Sequence, residues 1–426
     1  MVPRILNAAD GGAPLLQLEQ QILHASHEIE YWFRSQWLQH TPPFYASVDL
    51  RNAGFKLSVV DTNLFPGGFN NLSPDTLPLA VQAMSAAVER RCPDVRRFLL
   101  IPENHTRNVF YLTNVARLAQ LLQQSGLEIR IGTMIPEITS PTRLDLPDNS
   151  SLLLEPLVRS GTRLGVAGFD PCAILLNNDM SAGIPDILQG LENQVIVPPL
   201  HAGWSVRRKS KHFAAYSDVA VSFAEMLGID PWVVDPYFAT CSNVDFHARE
   251  GESCLADNVS AMLQRIRNKY RELGIQQTPY VVVKADAGTY GMGVMTVKDA
   301  NEVVNLNRKQ RNKMAVIKEG MAVSDVLIQE GVPTVEVVND AVAEPVVYMI
   351  DRVVVGGFYR LHAERGPDEN LNAPGMRFAP LPFDESCMQP DHAGHPDAAR
   401  NRFYVYGVIS RLALLAASLE LESTAP

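Results

Sequence analysis

Positive charge is in short supply: 37 Lys and Arg stand against 47 Asp and Glu, a formal net charge of −10 over 426 residues. A dedicated nucleic-acid or anionic-membrane binder is usually held by a broad positive field, so the balance argues for a small-molecule partner, with no nucleic acid and no membrane. Cysteine is scarce as well. Cys92, Cys172, Cys241, Cys254 and Cys387 are odd in number and widely spaced, with no CxxC pair to suggest zinc or a redox dithiol. A reducing cytoplasm is the expected compartment. The opening MVPRILNAADGGAP lacks a charged start followed by an apolar core, so export is not expected. A clean membrane-length run is also missing. The most apolar late segment, Tyr404 to Leu421, is interrupted by Arg411 and Glu420, falls short of about 20 apolar residues, and reads as a buried core helix. No internal repeat or low-complexity tract is apparent.

What is present is an ordinary globular composition, 46% hydrophobic and 20% charged. At roughly 100–200 residues per domain the length predicts two or three domains. Residues 15–38 carry apolar positions at helical spacing. RRFLLIPE (96–103) and LEIRIGTMI (127–135) read as strands separated by a helix that Gly126 stops, a unit typical of parallel α/β sheets. CAILLNND (172–179) and QVIVPP (194–199) read as further strands, with a helix through IPDILQGLE between them. Residues 1–200 are therefore expected to form an amino-terminal α/β substrate domain. After Pro198–Pro199 come helices around SDVAVSFAEMLG and NVSAMLQRIRNKYRELG, then strands at VVVKA, VMTV and VLIQEG. PVVYMIDRVVVGGFYRLH reads as a hairpin turning at Asp351–Arg352, which puts Glu344 and Arg360 at the same far end. The basic run NRKQRNK (307–313) reads as a solvated helix face.

The densest chemical signal is KADAGTYGMGVMTV, Lys284 to Val297. Lys284 ends a strand, and Gly288, Gly291 and Gly293 follow before the next one, in a spacing that lets backbone N–H groups approach a phosphate. The GxxGxG spacing and the following strand match neither the Rossmann fingerprint nor the P-loop; a phosphate cradle and a tight structural hairpin both remain open.

These residues resemble the ATP-grasp ligases, in which a strand-borne lysine and a glycine-rich loop close over ATP. The resemblance implies a two-lobed ATP-grasp unit over 201–426, the smaller lobe about 212–328 and the larger about 329–426. A second lysine is implied in VRRKSKHF, matched to Lys211 with Lys209 as competitor. It also implies nucleotide contacts at Gly288, Thr289, Tyr290, Gly291 and Gly293, and at Gln329, Glu330 and Val332. RLHAERGPDENLNAPG resembles the glutathione-synthetase stretch that supplies an arginine and an asparagine-bearing loop, placing Arg360 and Asn370 at the reacting phosphate.

Over most of the chain, DLRNAGFKLSVVDTNLFPGGFNNL, IPENHTRN, LIQEGVPTVE and GGFYRLHAERGPDENLNAPGMRF resemble the proteobacterial glutamate–cysteine ligases with an ATP-grasp fold. The resemblance implies ligation of the glutamate γ-carboxyl to cysteine with ATP and Mg2+, through an acyl phosphate, with Lys284 and Arg360 catalytic. The synthetase metal ligands have no match here, leaving Glu344, Glu336 and Asn370 as candidates for magnesium. Asn104, His105 and Arg107, in a loop between a strand and a helix start, suit a substrate carboxylate, with Arg107 the best ligand for glutamate; turn and capping roles are the alternative. Asn63 joins them from DTNLFPGGFNN, where Asp61, Asn70 and Asn71 also stand. Two rivals remain open: another carboxylate–amine ligase on the same scaffold, and a nucleotide-responsive binding protein without turnover.

Overall fold

The computed structural model describes residues 4–5, 12–288, 293–316, 322–381 and 402–426. One sheet is parallel through its middle, in the order Val195–Val197, Ala173–Asn177, Arg97–Pro102, Glu128–Thr133, Ser151–Ser160. Its central strands, FLLI and AILL, are apolar on both faces because both faces are covered. The crossover helix Val109–Gln124 is capped by the Asn108 side chain, which accepts from Tyr111 N–H, and is followed by Gly126 at φ +86°. The helix expected through IPDILQGLE is a single 3-10 turn, Asp186–Leu188. Pro185 before it and Gly190 at φ +60° after it leave no room for more. The helical spacing over residues 15–38 corresponds to two helices, Gly12–His24 and Ser26–Gln39.

A second, antiparallel sheet is built on the expected hairpin Ala341–Ile350 and Val353–His362, in which Glu344 pairs with Arg360. Tyr45–Asn52 lies on the other side of Ala341–Ile350, and Leu57–Asn63 pairs with it in turn. This sheet and its core therefore draw residues from both sides of the boundary expected at residue 200. Val48, Leu50, Val59, Val347 and Met349 pack behind it with Tyr404, Ile409 and Leu412 of the helix Arg402–Thr424. That helix has the length and apolarity to cross a membrane, but 89% of its most apolar window is buried inside the protein, as a core helix requires.

The third sheet has four antiparallel strands, ordered Phe238–Ser242, Asp325–Glu330, Val281–Ala285, Val294–Val297. Strand alternation buries Val281 and Val283 with Val326 and Ile328, beneath the stripe Leu255, Val259, Met262, Leu263 and Ile266 of the helix Glu252–Glu272. The intervening residues, Val282 and Lys284, are turned toward the second sheet. The run at 307–313 sits largely on the exposed helix Arg308–Ala315.

Candidate functional site

A cleft of about 830 Å³ separates the four-stranded sheet from the larger antiparallel one. Lys284 reaches into it, donating from Nζ to Val60 O at 2.6 Å and to Gln329 Oε1 at 2.5 Å. Burial pulls its ammonium down to about 8, helped by the neighbouring Lys209 and Arg51 and opposed by Asp61.

The lysine that lines the cleft beside Lys284 is Lys209, the competitor, and not Lys211. Asp286, just past the Lys284 strand, caps the helix Lys209–Leu227: its carboxylate accepts from Ser210 N and Ser210 Oγ, both at 2.7 Å, and its carbonyl accepts from Lys209 N at 2.7 Å. This holds Lys209 beside Lys284, with Nζ 2.9 Å from Asp61 Oδ1 and 4.3 Å from the Trp204 ring. Lys211 is two residues on, about 200° around the helix axis, and is exposed. Burial opposes ionisation of Asp61, but Lys209 and Lys284 outweigh it and bring the carboxyl down to about 2.

Opposite the lysines runs a chain of alternating charge. Arg360 Nη1 donates to Asp49 Oδ2 at 2.8 Å and Glu344 Oε1 at 2.5 Å, and Arg51 Nε donates to Glu344 Oε2 at 2.9 Å. Burial works against the Glu344 carboxylate, yet the two arginines hold it below the usual range. Burial pushes Asp49 up, and the Glu344 charge adds to the shift against Arg360. Arg360 Nε and Gln329 Nε2 are buried donors without a partner among the described residues. A polyanionic nucleotide fits a cleft with two lysines and two unused donors.

Gly288 lines the cleft at φ +96°, and Gly293 adopts φ +60°. Thr289, Tyr290 and Gly291 lie outside the described residues. Gln329, Glu330 and Val332 line the cleft. The Glu330 carboxylate is turned away, accepting from Lys56 Nζ at 2.9 Å, Trp232 Nε1 at 3.0 Å and Tyr237 N at 3.0 Å.

The expected metal and substrate sets are only partly assembled. Asn370 lines the cleft. Glu344 is there too, with both oxygens engaged by arginines. Glu336 is not: it is fully buried on the opposite side, accepting from Asn52 Nδ2 at 2.9 Å and from the Tyr406 hydroxyl. Among the described residues no cluster of three or more His, Cys, Asp or Glu is placed to hold a metal. Asn63 Oδ1 accepts from Phe65 N at 2.9 Å, a local turn bond. Asn104 and His105 line a separate crevice of about 1220 Å³ at the carboxyl ends of the parallel strands, where His105 Nε2 sits 3.0 Å from Glu103 Oε2. Arg107 is exposed and lines neither cavity.

Asp49 and Arg51 carry no functional expectation from sequence. Their signal was the alternation in SVDLRN, with Val48 and Leu50 facing the core and Asp49 and Arg51 the cleft.

A small antiparallel lobe set against a larger sheet, with strand-borne Lys284, helix-borne Lys209 and a glycine turn in the cleft between them, matches the two-lobed arrangement that the resemblance to the ATP-grasp ligases implies. The chain belongs to the GshA glutamate-cysteine ligase family, whose model matches residues 19–421. It is similar, at 63% identity and a TM-score of 0.92, to a crystal structure from Methylobacillus flagellatus KT described as a candidate gamma-glutamylcysteine synthetase, covering 100% of this chain and 99% of that one. A glutathione synthetase-like effector from Globodera pallida aligns at 10% identity and a TM-score of 0.36, over 84% of this chain and 81% of its own. No curated protein matches.

Proposed function

We propose that the cleft binds MgATP and ligates the γ-carboxyl of glutamate to the amine of cysteine, giving γ-glutamylcysteine, ADP and phosphate. The family supports the amino acids. The observation that carries the nucleotide is the pair Lys209 and Lys284, two ammoniums converging on the single carboxylate Asp61 beside the Gly288 turn. That excess of positive charge in a buried site is matched by terminal phosphates.

The γ-carboxylate attacks the terminal phosphoryl, and the cysteine amine then displaces phosphate from the acyl phosphate. Lys209 and Lys284 balance the phosphates, and the unused Arg360 Nε donates to the transferring phosphoryl or the oxyanion of the second step. Asp49 and Glu344 hold the Arg360 guanidinium in place. Magnesium, when bound, supplies further neutralisation of the phosphates; Asn370 and Asp49 are the oxygen donors best placed to hold it, and Glu344 can join only by releasing an arginine. The apolar side chains Val60, Val282, Val294 and Val332 offer the adenine ring its surface.

A substrate panel tests the reading. ADP should form in stoichiometric amounts with glutamate and cysteine together. Turnover with a different amino-acid pair would identify another ligase of this fold, and ATP binding with no turnover on any pair would identify a nucleotide-responsive binding protein.

A further inference from the structure

Two cysteines meet at the back of the small lobe. Cys241, on the edge strand Phe238–Ser242, and Cys254, in the first turn of the helix Glu252–Glu272, bring their Sγ atoms within 3.5 Å. Cys241 is buried and Cys254 is exposed. One turn along the helix, Asn258 Nδ2 lies 3.2 Å from the Cys241 sulfur and 3.5 Å from the Cys254 sulfur, while donating to Cys254 O at 2.9 Å. An amide thus anchored to the helix backbone holds both thiols together.

The geometry points to a reversible thiol–disulfide site formed by Cys241 and Cys254, oxidised by a low-molecular-weight disulfide. A disulfide needs the sulfurs at about 2.05 Å, so the pair must close by roughly 1.5 Å, a movement open to the exposed side chain. Cys254, as the thiolate, attacks one sulfur of the small disulfide; that S–S bond breaks, and one small thiol leaves and takes up a proton. Cys241 then gives its proton to water and attacks Cys254 Sγ, expelling the second small thiol. Two protein thiols are oxidised and one small disulfide is reduced to two thiols, so the exchange balances. The order follows from access. Burial, with Cys254 adding to it, pushes the Cys241 thiol up to about 11, so it waits protonated while the exposed partner reacts first.

The link would tie the edge strand to the start of the helix. Cys241 pairs with Val326 and Phe238 with Gln329, which accepts from Lys284, so the cross-link belongs to the same sheet as the cleft lysine. The paired geometry of the two thiols does not depend on the proposed function.

The test is intact-mass and peptide analysis of the full chain equilibrated with cystine and then alkylated. In wild type the Cys241 and Cys254 peptides should appear joined, about 2 Da below the sum of the two free-thiol peptides, and should separate again with dithiothreitol. Cys241→Ser should instead hold a mixed disulfide on Cys254, a gain of about 119 Da at that peptide. Cys254→Ser should leave Cys241 unmodified, and Cys254→Ala serves if the serine variant is poorly folded. Oxidation should raise the Tm of wild type and of neither variant, because the link restricts the unfolded chain. Two free thiols in oxidised wild type, a link to a different cysteine, or first attack at Cys241 would overturn the assignment. None of these readouts requires turnover, so failure here is separable from failure of the ligase reading.

Discussion

The two cleft lysines make different demands on pH and on substitution. Lys284 has its ammonium lowered to about 8 in the free protein, so raising pH through that value removes the charge that favours phosphate. kcat/KM for ATP should therefore fall above pH ~8, by about tenfold per unit. Lys284→Arg stays charged and should lose that alkaline limb, at a lower overall rate because its fork geometry differs from an ammonium. A profile from pH 6 to 10 checks this, and a wild-type curve flat to the upper end would remove Lys284 from the phosphates. Lys209→Met should weaken ATP binding by about 1.5–3 kcal/mol, whereas the exposed Lys211→Met should leave ATP KM nearly unchanged. The opposite pattern would restore Lys211. Arg360 needs a charge-keeping change, because alanine would strip Asp49 of its guanidinium and leave Glu344 with Arg51 alone, at a cost of about 3–5 kcal/mol. Arg360→Lys should lower kcat strongly with small effects on either KM, the pattern of a contact made in the transition state.

Among the elements, the carboxy-terminal helix is anchored by one buried acid. Glu420 accepts from Arg207 Nε at 2.8 Å and Nη2 at 3.0 Å, and sits 3.0 Å from His212 Nδ1. Burial opposes its ionisation, but Arg207 and His212 prevail and bring it down to about 2. Its folded value lies below the unfolded one of about 4.3, so its stabilisation is complete above that value and drains away as pH falls toward 2. Glu420→Gln should lose about 3–5 kcal/mol at pH 7, with the gap to wild type narrowing from about pH 5 down to about pH 2 in denaturant titrations. A gap that does not change with pH would mean the loss is one of packing. The same scale shows what the sequence made legible. Val281–Ala285, the hairpin about Asp351–Arg352 and the helix after Asn108 each carry their own period and turn residues, so local pattern sufficed. Tyr45–Asn52 escaped because both of its faces are buried, one in the core and one in charge pairs, and because its partner Ala341–Ile350 lies some 300 positions away.

The whole molecule is organised by that long-range pairing. The glycine turn with Lys284, the strand-end Gln329, and Arg360 opposite Glu344 could be read from motifs. The closing side of the cleft, Asp49, Arg51 and Asp61, comes from the first 63 residues and could be placed only once the sheet was known. Residues 201–426 expressed alone should therefore fail to show a cooperative melt, since they lack Tyr45–Asn52 and Leu57–Asn63 of the large sheet and the Val48, Leu50 and Val59 side chains behind it. A sharp, reversible transition in that fragment would show that the sheet is complete without them.

In the proposed mechanism the cleft transfers the terminal phosphoryl of ATP to a glutamate carboxylate before cysteine attacks. Glutamate carrying ¹⁸O in its γ-carboxyl tests it directly, because breakdown of an acyl phosphate leaves the bridging oxygen on phosphorus. With cysteine and MgATP present, ¹⁸O should appear in inorganic phosphate, with ADP as the nucleotide product. Unlabelled phosphate, or AMP and pyrophosphate in place of ADP, would contradict the account.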